Sequence, residues 1–408
     1  MKILYIHQYF KTPEEGGAIR SYYLAKTLVE NGHDVIMLTA HNHHKMVEKH
    51  IDKIHVIYLP VYYDNKLGFW GRVFSFLKFI WLSIKKIQKI SKIDVCYCTS
   101  TPLTVGLIAL WLKYKKNIPF YFEVRDLWPE APIQMGVIKN PLIIFFLKKL
   151  ELELYVKAER LIALSPGIKE GINKVVPGKA VSLLPNMSDI DFFSKKINSK
   201  RAYQKFGSDL KKSFNIAYIG AIGKVNRMES ILLAAKSCQD ANLKVNFLIA
   251  GYGKELENLK KKSEKLKLKN LFFLGHLNKF DIKDLLSISQ ATYISFCNLP
   301  VLGTNSPNKF FDSLAAGKIC IVNVEGWIKQ LIEENSCGFY TNPDIENDFV
   351  YKLKPYLQNK QLLKEAQKNA YELAQLFSRE NTCKNFLRLF DPELNLEMAI
   401  SSVYTLRA

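Results

Sequence analysis

The chain contains 408 residues, has a mass of 47.0 kDa and carries a formal net charge of +20 at neutral pH. This length predicts about two or three domains, and a composition that is 48% hydrophobic and 24% charged argues against long disordered segments. Seven cysteines without a CxxC pair argue against a disulfide scaffold or a zinc site, and favour a reduced, cytoplasmic protein. The N-terminus does not read as a signal peptide, and no apolar stretch reaches the about 20 residues of a spanning helix.

The first half of the chain predicts strands that alternate with helices. It opens with a strand at 2–7 and a loop containing Gly16 and Gly17, followed by a helix at 18–30 that Asn31-Gly32 closes. Further strands are predicted at 34–39, 54–59, 94–99, 119–124, 160–164 and 180–184. This order is typical of a parallel sheet covered by helices.

The second half repeats the α/β pattern after a polar segment. Strands are predicted at 215–218, 244–249, 271–274, 292–296 and 319–322, and helices at 229–240, 254–267, 307–316 and within 345–390. The predicted organisation is an N-terminal domain at 1–194, a linker at 195–213, a second domain at 214–380, and a C-terminal helix and tail at 381–408 that packs back on the first domain. Two such halves predict a ligand cleft between the carboxyl ends of their strands.

The segment 66–116 is strongly basic, with ten Lys and Arg residues against one acid. Apolar residues recur in it at helical spacing from Phe69 to Ile87. A basic amphipathic helix of this kind suits an anionic membrane surface. The alternative is a core helix with a solvated lysine end. The residues expected to touch the membrane are Trp70, Phe74, Trp81, Lys85 and Lys86.

The sharpest local signal is the segment 303–312, GTNSPNKFFD. Ser306 is predicted to cap a helix with Pro307 in its first position. The free N–H groups and positive dipole end of such a helix suit a phosphate, and Lys309 would add a point charge. Asp312 lies one turn further on, where a carboxylate could accept hydrogen bonds from ribose hydroxyls.

Glycines follow two strands of the second half, at Gly220 and Gly223 and again at Gly251. Glycines at such turns let a backbone approach a diphosphate closely, although a glycine after a strand is usually only a turn. Gly16 and Gly17 follow the first strand of the other half and are predicted to face the same diphosphate.

A charged cluster, EVRDLWPE at 123–130, ends a buried strand of the first half. Active sites of α/β domains form at such strand ends, so Arg125 and Asp126 are candidate catalytic residues, and His7, which ends the first strand, is expected to face the cleft as well. The alternative is a salt-bridged loop. The histidines at 41, 43 and 44 lack a matching carboxylate or cysteine, and no acidic pair accompanies the phosphate motif, so no metal site is predicted.

Taken together and in order, these motifs resemble the GT-B-fold glycosyltransferases of family four. The resemblance runs over nearly the whole chain, and its most specific pair of motifs is similar to the fucosamine-transferase branch of O-antigen and capsule assembly. The motifs that carry it are the Gly16-Gly17 loop, NGHDV at 31–35, STPL at 100–103, EVRDLWPE at 123–130, LSPGIKE at 164–170, LLPNMSDIDFF at 183–193, AYIGAIGK at 217–224, IAGYGKE at 249–255, FFLGHL at 272–277 and SPNKFFDSLAAGK at 306–318.

The resemblance implies two Rossmann-like doubly wound domains facing a central cleft, with the nucleotide mainly on the second. It implies that the backbone at Gly275 and His276 meets the uracil and that Asp312 holds the ribose. The acidic pair of the family is changed here, because Thr304 occupies its first position and Asp312 its second. The residues implied around the diphosphate are Gly16, Gly17, Gly220, Gly223, Gly251, Ser306, Asn308 and Lys309, with Lys224, Asn226 or Arg227 standing where the family has Arg and Lys.

The implied activity is a retaining, metal-independent transfer of a sugar, an N-acetylated hexosamine or deoxyhexosamine. The donor is a UDP-sugar, no cofactor is needed, and the acceptor is a polyprenyl-diphosphate-linked saccharide at the cytoplasmic face of the inner membrane. Arg125, Asp126 and Lys309 are the expected catalytic residues. Two alternatives remain open at this point: a UDP-sugar 2-epimerase of the same fold, and a non-catalytic module that binds membranes or polyanions. Nucleic acid is not an expected partner, because no recognisable nucleic-acid motif is present.

Overall fold

A computed structural model describes residues 1–15, 19–64, 67–194 and 199–390. The chain divides into two compact units. Unit 1 contains Met1–Pro185 together with the C-terminal segment from Glu380, and unit 2 contains Asn186–Arg379. Each unit is an α/β domain built on its own sheet.

Within the described part of unit 1, one sheet of eight strands forms the centre. The strands are β1 (Lys2–Ile6), β2 (Asp34–His41), β3 (Val47–Ile51), β4 (Ile54–Pro60), β5 (Val95–Thr99), β6 (Phe120–Val124), β7 (Arg160–Ala163) and β8 (Val181–Leu183). Their order is β3-β4-β2-β1-β5-β6-β7-β8, and only β3 pairs antiparallel among these strands. Parallel strands are buried on both faces, and β5 is accordingly buried at every position.

Helices connect the strands of unit 1. They are α1 (Arg20–Glu30), α2 (Phe69–Ile87), α3 (Gly106–Lys116), α4 (Glu130–Gln134), α5 (Pro141–Lys157) and α6 (Pro166–Val175). Two of them begin with a side-chain cap followed by proline, which is the preferred start of a helix. The Asn140 side chain accepts from two backbone N–H groups of α5, and the Ser165 hydroxyl accepts from the Ile168 N–H of α6.

The sheet of unit 2 has six strands in the described residues, all paired in parallel. They are β9 (Phe214–Ile219), β10 (Val245–Ala250), β11 (Leu271–Gly275), β12 (Ala291–Ile294), β13 (Ile319–Val322) and β14 (Gly338–Tyr340). The order β11-β10-β9-β12-β13-β14 is the doubly wound arrangement of a dinucleotide-binding fold. The core on one face of this sheet includes Phe247 and Tyr293, whose rings lie 5.7 Å and 6.0 Å from that of Phe349.

The helices of unit 2 cover both faces of its sheet. They are α7 (Ile190–Phe193), α8 (Ser199–Phe206), α9 (Glu229–Asp240), α10 (Leu256–Lys265), α11 (Lys279–Ser287), α12 (Asn308–Ala315), α13 (Trp327–Glu334), α14 (Asp348–Gln358) and α15 (Lys360–Leu376), and short 3₁₀ helices lie at Ser208–Lys212, Lys224–Asn226 and Pro300–Thr304. Part of the segment predicted as a linker is therefore folded. Ala202 of α8 and Leu210 are buried in a cluster with Leu285 of α11, so this segment belongs to the core of unit 2.

The last described helix is α16 (Arg379–Arg388), which returns the chain to unit 1. The ring of Phe386 lies 5.1 Å from that of Tyr97 on β5. The ring of Phe390 lies 5.2 Å from that of Tyr121 on β6. The C-terminal segment thereby covers the central strands of unit 1.

Two strands were not predicted, and both have a physical reason. β3 reads VEKHI, and its three central residues are exposed because it is an antiparallel edge strand. β14 has only three residues. Neither offers the apolar run or the clean alternation by which a strand is recognised in a sequence.

Candidate functional site

In unit 2 the strand order reverses between β9 and β12. Ligands of open α/β sheets bind outside the carboxyl ends of the strands at such a reversal. The loop after β9 carries Gly220 and Gly223, and the chain after β12 leads into α12 with Lys309 in its first turn. The predicted phosphate motifs are thus placed at the position where this fold binds ligands.

Lys309 reaches from α12 to the end of β9. Its Nζ donates to the Tyr218 hydroxyl over 3.2 Å and lies 4.4 Å from the centre of that ring. No carboxylate pairs with Lys309 among the residues described, and burial lowers the pKa of its ammonium group to about 8. A half-buried cation whose protein partner is a tyrosine can still accept an anionic ligand.

Gly220 lies directly beneath the Lys309 ammonium group. Its φ is +147°, and a Cβ at this position would lie 2.7 Å from Lys309 Nζ. Gly251 has a different role, since a Cβ there would lie 1.9 Å from the Gly220 carbonyl oxygen. Gly220 therefore leaves space for the Lys309 side chain, and Gly251 permits two loops of the protein to pass close together. The predicted approach of these glycines to a diphosphate stays a prediction.

An open pocket of about 400 Å³ adjoins Gly220. The loops after β9, β10 and β11 form it, with Gly251, Tyr252 and His276 among the lining residues. Leu277 and Ile282 supply apolar walls. A pocket with aromatic and aliphatic walls suits a planar ring, and Gly220 both lines this pocket and lies next to Lys309.

Asp312 lies one helical turn beyond Asn308 on α12. Burial raises the pKa of its carboxyl group to about 7, with Lys279 lowering it and Asp189 raising it. No hydrogen bond to this carboxyl group is formed by the residues in the described ranges, whereas Lys279 donates to Asp189 over 2.6 Å. Asp312 is therefore available to a ligand.

The start of α12 differs from the prediction. The helix begins at Asn308 with Pro307 as its N-cap, and no side chain caps it. The Ser306 residue is only 8% exposed, and its hydroxyl finds no partner in the described part of the chain. The Ser306 carbonyl oxygen instead accepts from the Asn186 amide over 2.5 Å. The prediction of Ser306 as the helix cap was thus wrong, because Pro307 has an extended backbone and takes the cap position itself.

The other predicted residues of unit 2 have varied surroundings. Gly223 has an ordinary extended backbone, and Asn226 is buried in the 3₁₀ helix that follows it. The Thr304 hydroxyl donates to the Val301 carbonyl over 2.7 Å. Arg227 is ion-paired with Asp344, which leaves it a poor substitute for the cation expected in this loop.

In unit 1 the charged cluster after β6 begins with a buried ion pair. Arg20 donates to one Glu123 oxygen over 2.9 Å and 2.7 Å, and the Thr99 hydroxyl donates to the other over 2.6 Å. The side chains of Arg20 and Glu123 are 2% and 0% exposed. Burial would raise the pKa of Glu123, but Arg20 and Arg125 hold it below its usual value. The alternative of a salt-bridged segment is thus correct for Glu123.

Arg125 and Asp126 remain near the surface at the same strand end. Arg125 Nη1 lies 3.3 Å from His7 Nε2, and the Asp126 carboxylate accepts from the Thr101 hydroxyl over 3.0 Å. Burial and then Arg125 lower the pKa of His7 well below its usual value. His7 is therefore neutral, and its Nε2 accepts from Arg125.

Helix α2 presents its large apolar residues outward. The core side carries Ser75, Phe79, Ser83 and Ile87, whereas Trp70, Phe74 and Trp81 are 75%, 70% and 60% exposed. Lys85 lies 5.3 Å from the centre of the Trp81 ring, but Lys86 is ion-paired with Glu48 over 2.6 Å. One face of α2 thus belongs to the core, as the core-helix alternative expects, and the other exposes two tryptophans, which packing in the core does not account for.

Helix α5 adds a second exposed apolar stripe. Leu142, Phe145 and Phe146 are 68%, 62% and 65% exposed. Tyr114 of α3 donates to Glu153 of α5, and α3 packs against α2. The exposed apolar residues of α2 and α5 thus lie on helices that both contact α3. The sequence had not indicated an exposed apolar face on α5.

Several other predictions have a brief outcome. Gly16 and Gly17 lie outside the described residues. Within the described ranges, no three His, Cys, Asp or Glu side chains are grouped to hold a metal ion. None of the helices in those ranges combines the length and apolar character needed to cross a bilayer.

Sequence reasoning missed three residues that shape these sites. Tyr218 holds Lys309, Asn186 holds the chain before α12, and Tyr252 is a 65% exposed ring beside the pocket. Tyr252 follows a strand between two glycines, which was a usable signal. Tyr218 and Asn186 act on residues about 90 and 120 positions away, a separation that no local pattern reports.

Comparison with protein families assigns both halves of the chain. Residues 15–192 match the model of the "Glycosyltransferase Family 4" domain, and residues 200–373 match that of the "Glycosyl transferases group 1" domain. A "probable glycosyltransferase WbjE" of Pseudomonas aeruginosa is 22% identical over 69% of this chain and 70% of its own length. An "uncharacterized glycosyltransferase" of Methanocaldococcus jannaschii is 20% identical over 71% and 72%.

Solved structures share the fold. Sucrose-phosphate synthase from Thermosynechococcus elongatus matches with a TM-score of 0.78 and 15% identity over 95% of this chain and 98% of that one. Anabaena HepE in complex with UDP and glucose matches with a TM-score of 0.69 and 16% identity over 96% and 99%. WaaG, a glycosyltransferase involved in lipopolysaccharide biosynthesis, matches with a TM-score of 0.66 and 16% identity over 94% and 99%.

Proposed function

Because this chain belongs to the GT-B glycosyltransferases, we propose that it transfers an N-acetylated hexosamine or deoxyhexosamine from a UDP-sugar to a polyprenyl-diphosphate-linked saccharide. The product would serve the assembly of a bacterial O-antigen or capsule. The observation that carries the proposal is Lys309, a half-buried ammonium group beside Gly220 at the strand-order reversal of unit 2.

A UDP-sugar donor fits the chemistry of that site. The apolar pocket beside Gly220 would take the uracil, Lys309 and the first amides of α12 would take the diphosphate, and Asp312 would accept from the ribose. The UDP complex of HepE, which shares the fold, is consistent with this donor. The preference for uracil over another base is part of the proposal.

The proposed reaction retains the configuration at the anomeric carbon and uses no metal ion. The bond from that carbon to the diphosphate oxygen breaks, and its electron pair leaves with UDP. The acceptor oxygen forms the new bond on the same face, and its proton passes to the departing phosphate. Lys309 and the α12 amides would stabilise the charge that develops on the diphosphate, which is where preorganised electrostatics contribute most.

The acceptor is assigned to unit 1. Arg125 and Asp126 are charged, partly exposed and located at the carboxyl end of β6. Arg125 would bind the acceptor sugar, with His7 as the group that orients its guanidinium. Asp126 would accept a hydrogen bond from the acceptor hydroxyl.

A lipid-linked acceptor requires the enzyme to meet the bilayer. We infer that the outward faces of α2 and α5 rest on the cytoplasmic surface of the inner membrane. Tryptophan and phenylalanine would enter the interfacial region, while Lys85 and Lys89 would contact anionic headgroups. This orientation is favoured because both stripes are exposed and because Lys85 lies beside Trp81.

Vesicle flotation tests the membrane contact. The protein should float with vesicles of phosphatidylcholine and phosphatidylglycerol and much less with phosphatidylcholine alone. Lys85→Glu with Lys89→Glu should abolish most of the binding, because both side chains are exposed. Lys169→Glu with Lys174→Glu on α6 is the matched charge control, and equal loss in that control would contradict the assigned surface.

The donor site is tested by calorimetric titration with UDP, GDP and ADP at moderate salt without added metal. UDP should bind selectively, and Asp312→Ala should weaken it. Selective binding of GDP or ADP would retain the family and change the donor. Binding of none of the three would overturn the proposed nucleotide site.

A further inference from the structure

A second pocket, in unit 1, has an unusual concentration of basic side chains. It has a volume of about 530 Å³ and is lined by His41, His43, His44, Lys45, Lys49 and Glu15, among others. We call it the histidine pocket. We propose that it binds the diphosphate of the lipid-linked acceptor, an inference that rests on the proposed function.

The carboxylates near the histidine pocket are already engaged. Glu15 accepts from the Thr12 backbone over 2.8 Å and lies 3.9 Å from the Lys11 ammonium group. Side chains alternate between the faces of a strand, so Lys49 of β3 lines the pocket and Glu48 faces the other way, where it pairs with Lys86. Among the described lining residues, Lys45 and Lys49 therefore outnumber the single carboxylate of Glu15, which leaves the pocket with a net positive charge.

The loop that carries the histidines is held in place. His41 Nε2 lies 2.8 Å from the Lys45 carbonyl oxygen, and its ring lies 5.5 Å from that of Tyr58 on β4. The Asn42 side chain donates to the Tyr63 carbonyl over 3.2 Å and accepts from the Tyr63 N–H over 2.9 Å. A loop restrained at both ends presents its donors to a ligand at a lower entropic cost.

The position of the pocket suits a lipid-linked ligand. The Tyr63 ring lies 6.0 Å from that of Phe76 on α2, the helix whose outer face we assign to the membrane. The pocket extends from the carboxyl end of β2 across β4 to β3, which is three to five strands from the end of β6 where Arg125 and Asp126 lie. Strands are about 4.8 Å apart, so the span is roughly 14–24 Å, which leaves room for saccharide between the diphosphate and the reacting hydroxyl.

Binding of geranyl diphosphate, a short prenyl diphosphate, tests the inference by calorimetry on the full chain. Lys45→Ala with Lys49→Ala should weaken its binding by about tenfold or more, since each lysine supplies a charge-assisted contact. Lys169→Ala with Lys174→Ala removes the same charge from α6 and should leave the affinity unchanged. His43→Gln, with one substitution on an exposed loop, provides a second variant that should also weaken binding.

Three results would overturn the inference. The first is that geranyl diphosphate does not bind. The second is that the α6 control loses as much affinity as the pocket variant. The third is that the pocket variant loses binding to phosphatidylglycerol vesicles but not to geranyl diphosphate. The last result would assign the pocket to phospholipid headgroups. Inorganic pyrophosphate measured in parallel should show the same pocket dependence, and geraniol should not bind there.

The UDP affinity of the same variants separates this inference from the proposed function. UDP binds in unit 2 under the proposal, so the pocket variants should bind it normally. If UDP binds normally but geranyl diphosphate does not bind in unit 1, the inference is overturned and the proposed function is not. Absence of UDP binding in the unaltered protein overturns the proposed function.

Discussion

The strand ends of the two units carry similar sets of charged residues and use them differently. In unit 1, Glu123 is enclosed by Arg20 and Thr99. In unit 2, Lys309 has a tyrosine hydroxyl and ring, and no carboxylate pairs with it in the described part of the chain. Charges that satisfy one another stabilise the fold, whereas a cation without a counter-charge can still bind an anionic ligand. The position of a charged residue at a strand end does not show whether it stabilises the fold or can bind a ligand. The groups that contact its side chain do show this.

The largest expected effect breaks the enclosed pair. Arg20→Met leaves Glu123 buried without its counter-charge, and removal of one partner of a buried pair costs about 3–5 kcal/mol. Urea unfolding should show this loss in the midpoint. The double variant Arg20→Met with Glu123→Leu should recover part of it. Stability unchanged in the single variant would contradict a structural role for the pair.

Asp126 lies three residues after Glu123 and is expected to act on the acceptor instead. Asp126→Asn keeps the shape of the side chain and removes its charge, so turnover should fall by about 10²-fold, the scale expected when a reacting group loses its orientation. UDP affinity and the unfolding midpoint should not change. Unchanged turnover would show that Asp126 does not take part in the reaction. Its role would then be structural, like that of Glu123.

Lys309 of unit 2 is compared with Arg20 of unit 1. We expect loss of Lys309 to weaken ligand binding and turnover, whereas loss of Arg20 should lower stability. Lys309→Met removes the charge that we propose to bind the diphosphate, and turnover should fall by about 10²–10³-fold with weaker UDP binding, as for one lost donor to a developing anion. Lys318→Met, at the other end of α12, is the matched control, since burial lowers the pKa of Lys318 to about 8 as well. An equal effect of both variants would indicate a general loss of stability rather than a lost ligand contact.

Gly220→Ala tests the proposed role of Lys309 without changing any charged residue. The new Cβ would lie 2.7 Å from Lys309 Nζ and displace it, so UDP affinity should fall by about tenfold, the loss of one charge-assisted contact. Gly223→Ala in the same loop has a φ of −129°, and its Cβ would lie 3.6 Å from Asn226 Oδ1, an ordinary van der Waals contact, so this substitution should leave the backbone and Lys309 in place. Gly178→Ala in unit 1 controls for the strain of a positive φ.

The smallest expected effect is the pH dependence of UDP binding. Asp312 has a pKa of about 7, so its acceptor form is gained as the pH rises through 7. Lys309 has a pKa of about 8, so its positive charge is lost as the pH rises through 8. Affinity should be highest between these values, with a change of at most about tenfold per pH unit for each group.

Two variants test which group causes each side of the pH dependence of UDP affinity. Asp312→Asn should flatten the rise on the acid side, and Lys309→Arg should flatten the fall on the alkaline side. Titration of UDP itself is common to all variants and cancels in the comparison. Identical profiles in the unaltered protein and in both variants would contradict the assignment.

The fold was predictable because buried parallel strands have a local signature. The strand predicted at 319–322 is observed as Ile319–Val322, where four apolar residues are buried in succession. The edge strand VEKHI has no such signature, since half of its surroundings is solvent. Local composition thus identifies the centre of a sheet better than its edges.

The sequence indicated the proposed donor site only where one segment contains all the residues that suggest it. The 303–312 motif carries the helix start, the lysine and the aspartate together. The role of Glu123 depends on Arg20, 103 residues earlier, so the sequence could not show that the first residue of EVRDLWPE is structural. The exposed face of α5 was missed because burial of a helix face depends on what packs against it.

The return of the chain at α16 makes unit 2 an uninterrupted insertion within unit 1. A fragment spanning 186–379 therefore contains every segment of unit 2. A fragment that stops at Pro185 lacks Phe386 and Phe390, whose rings cover Tyr97 and Tyr121. To express unit 1 alone, one would have to join its two segments across the excised insertion, and simple C-terminal truncation would expose the centre of its sheet.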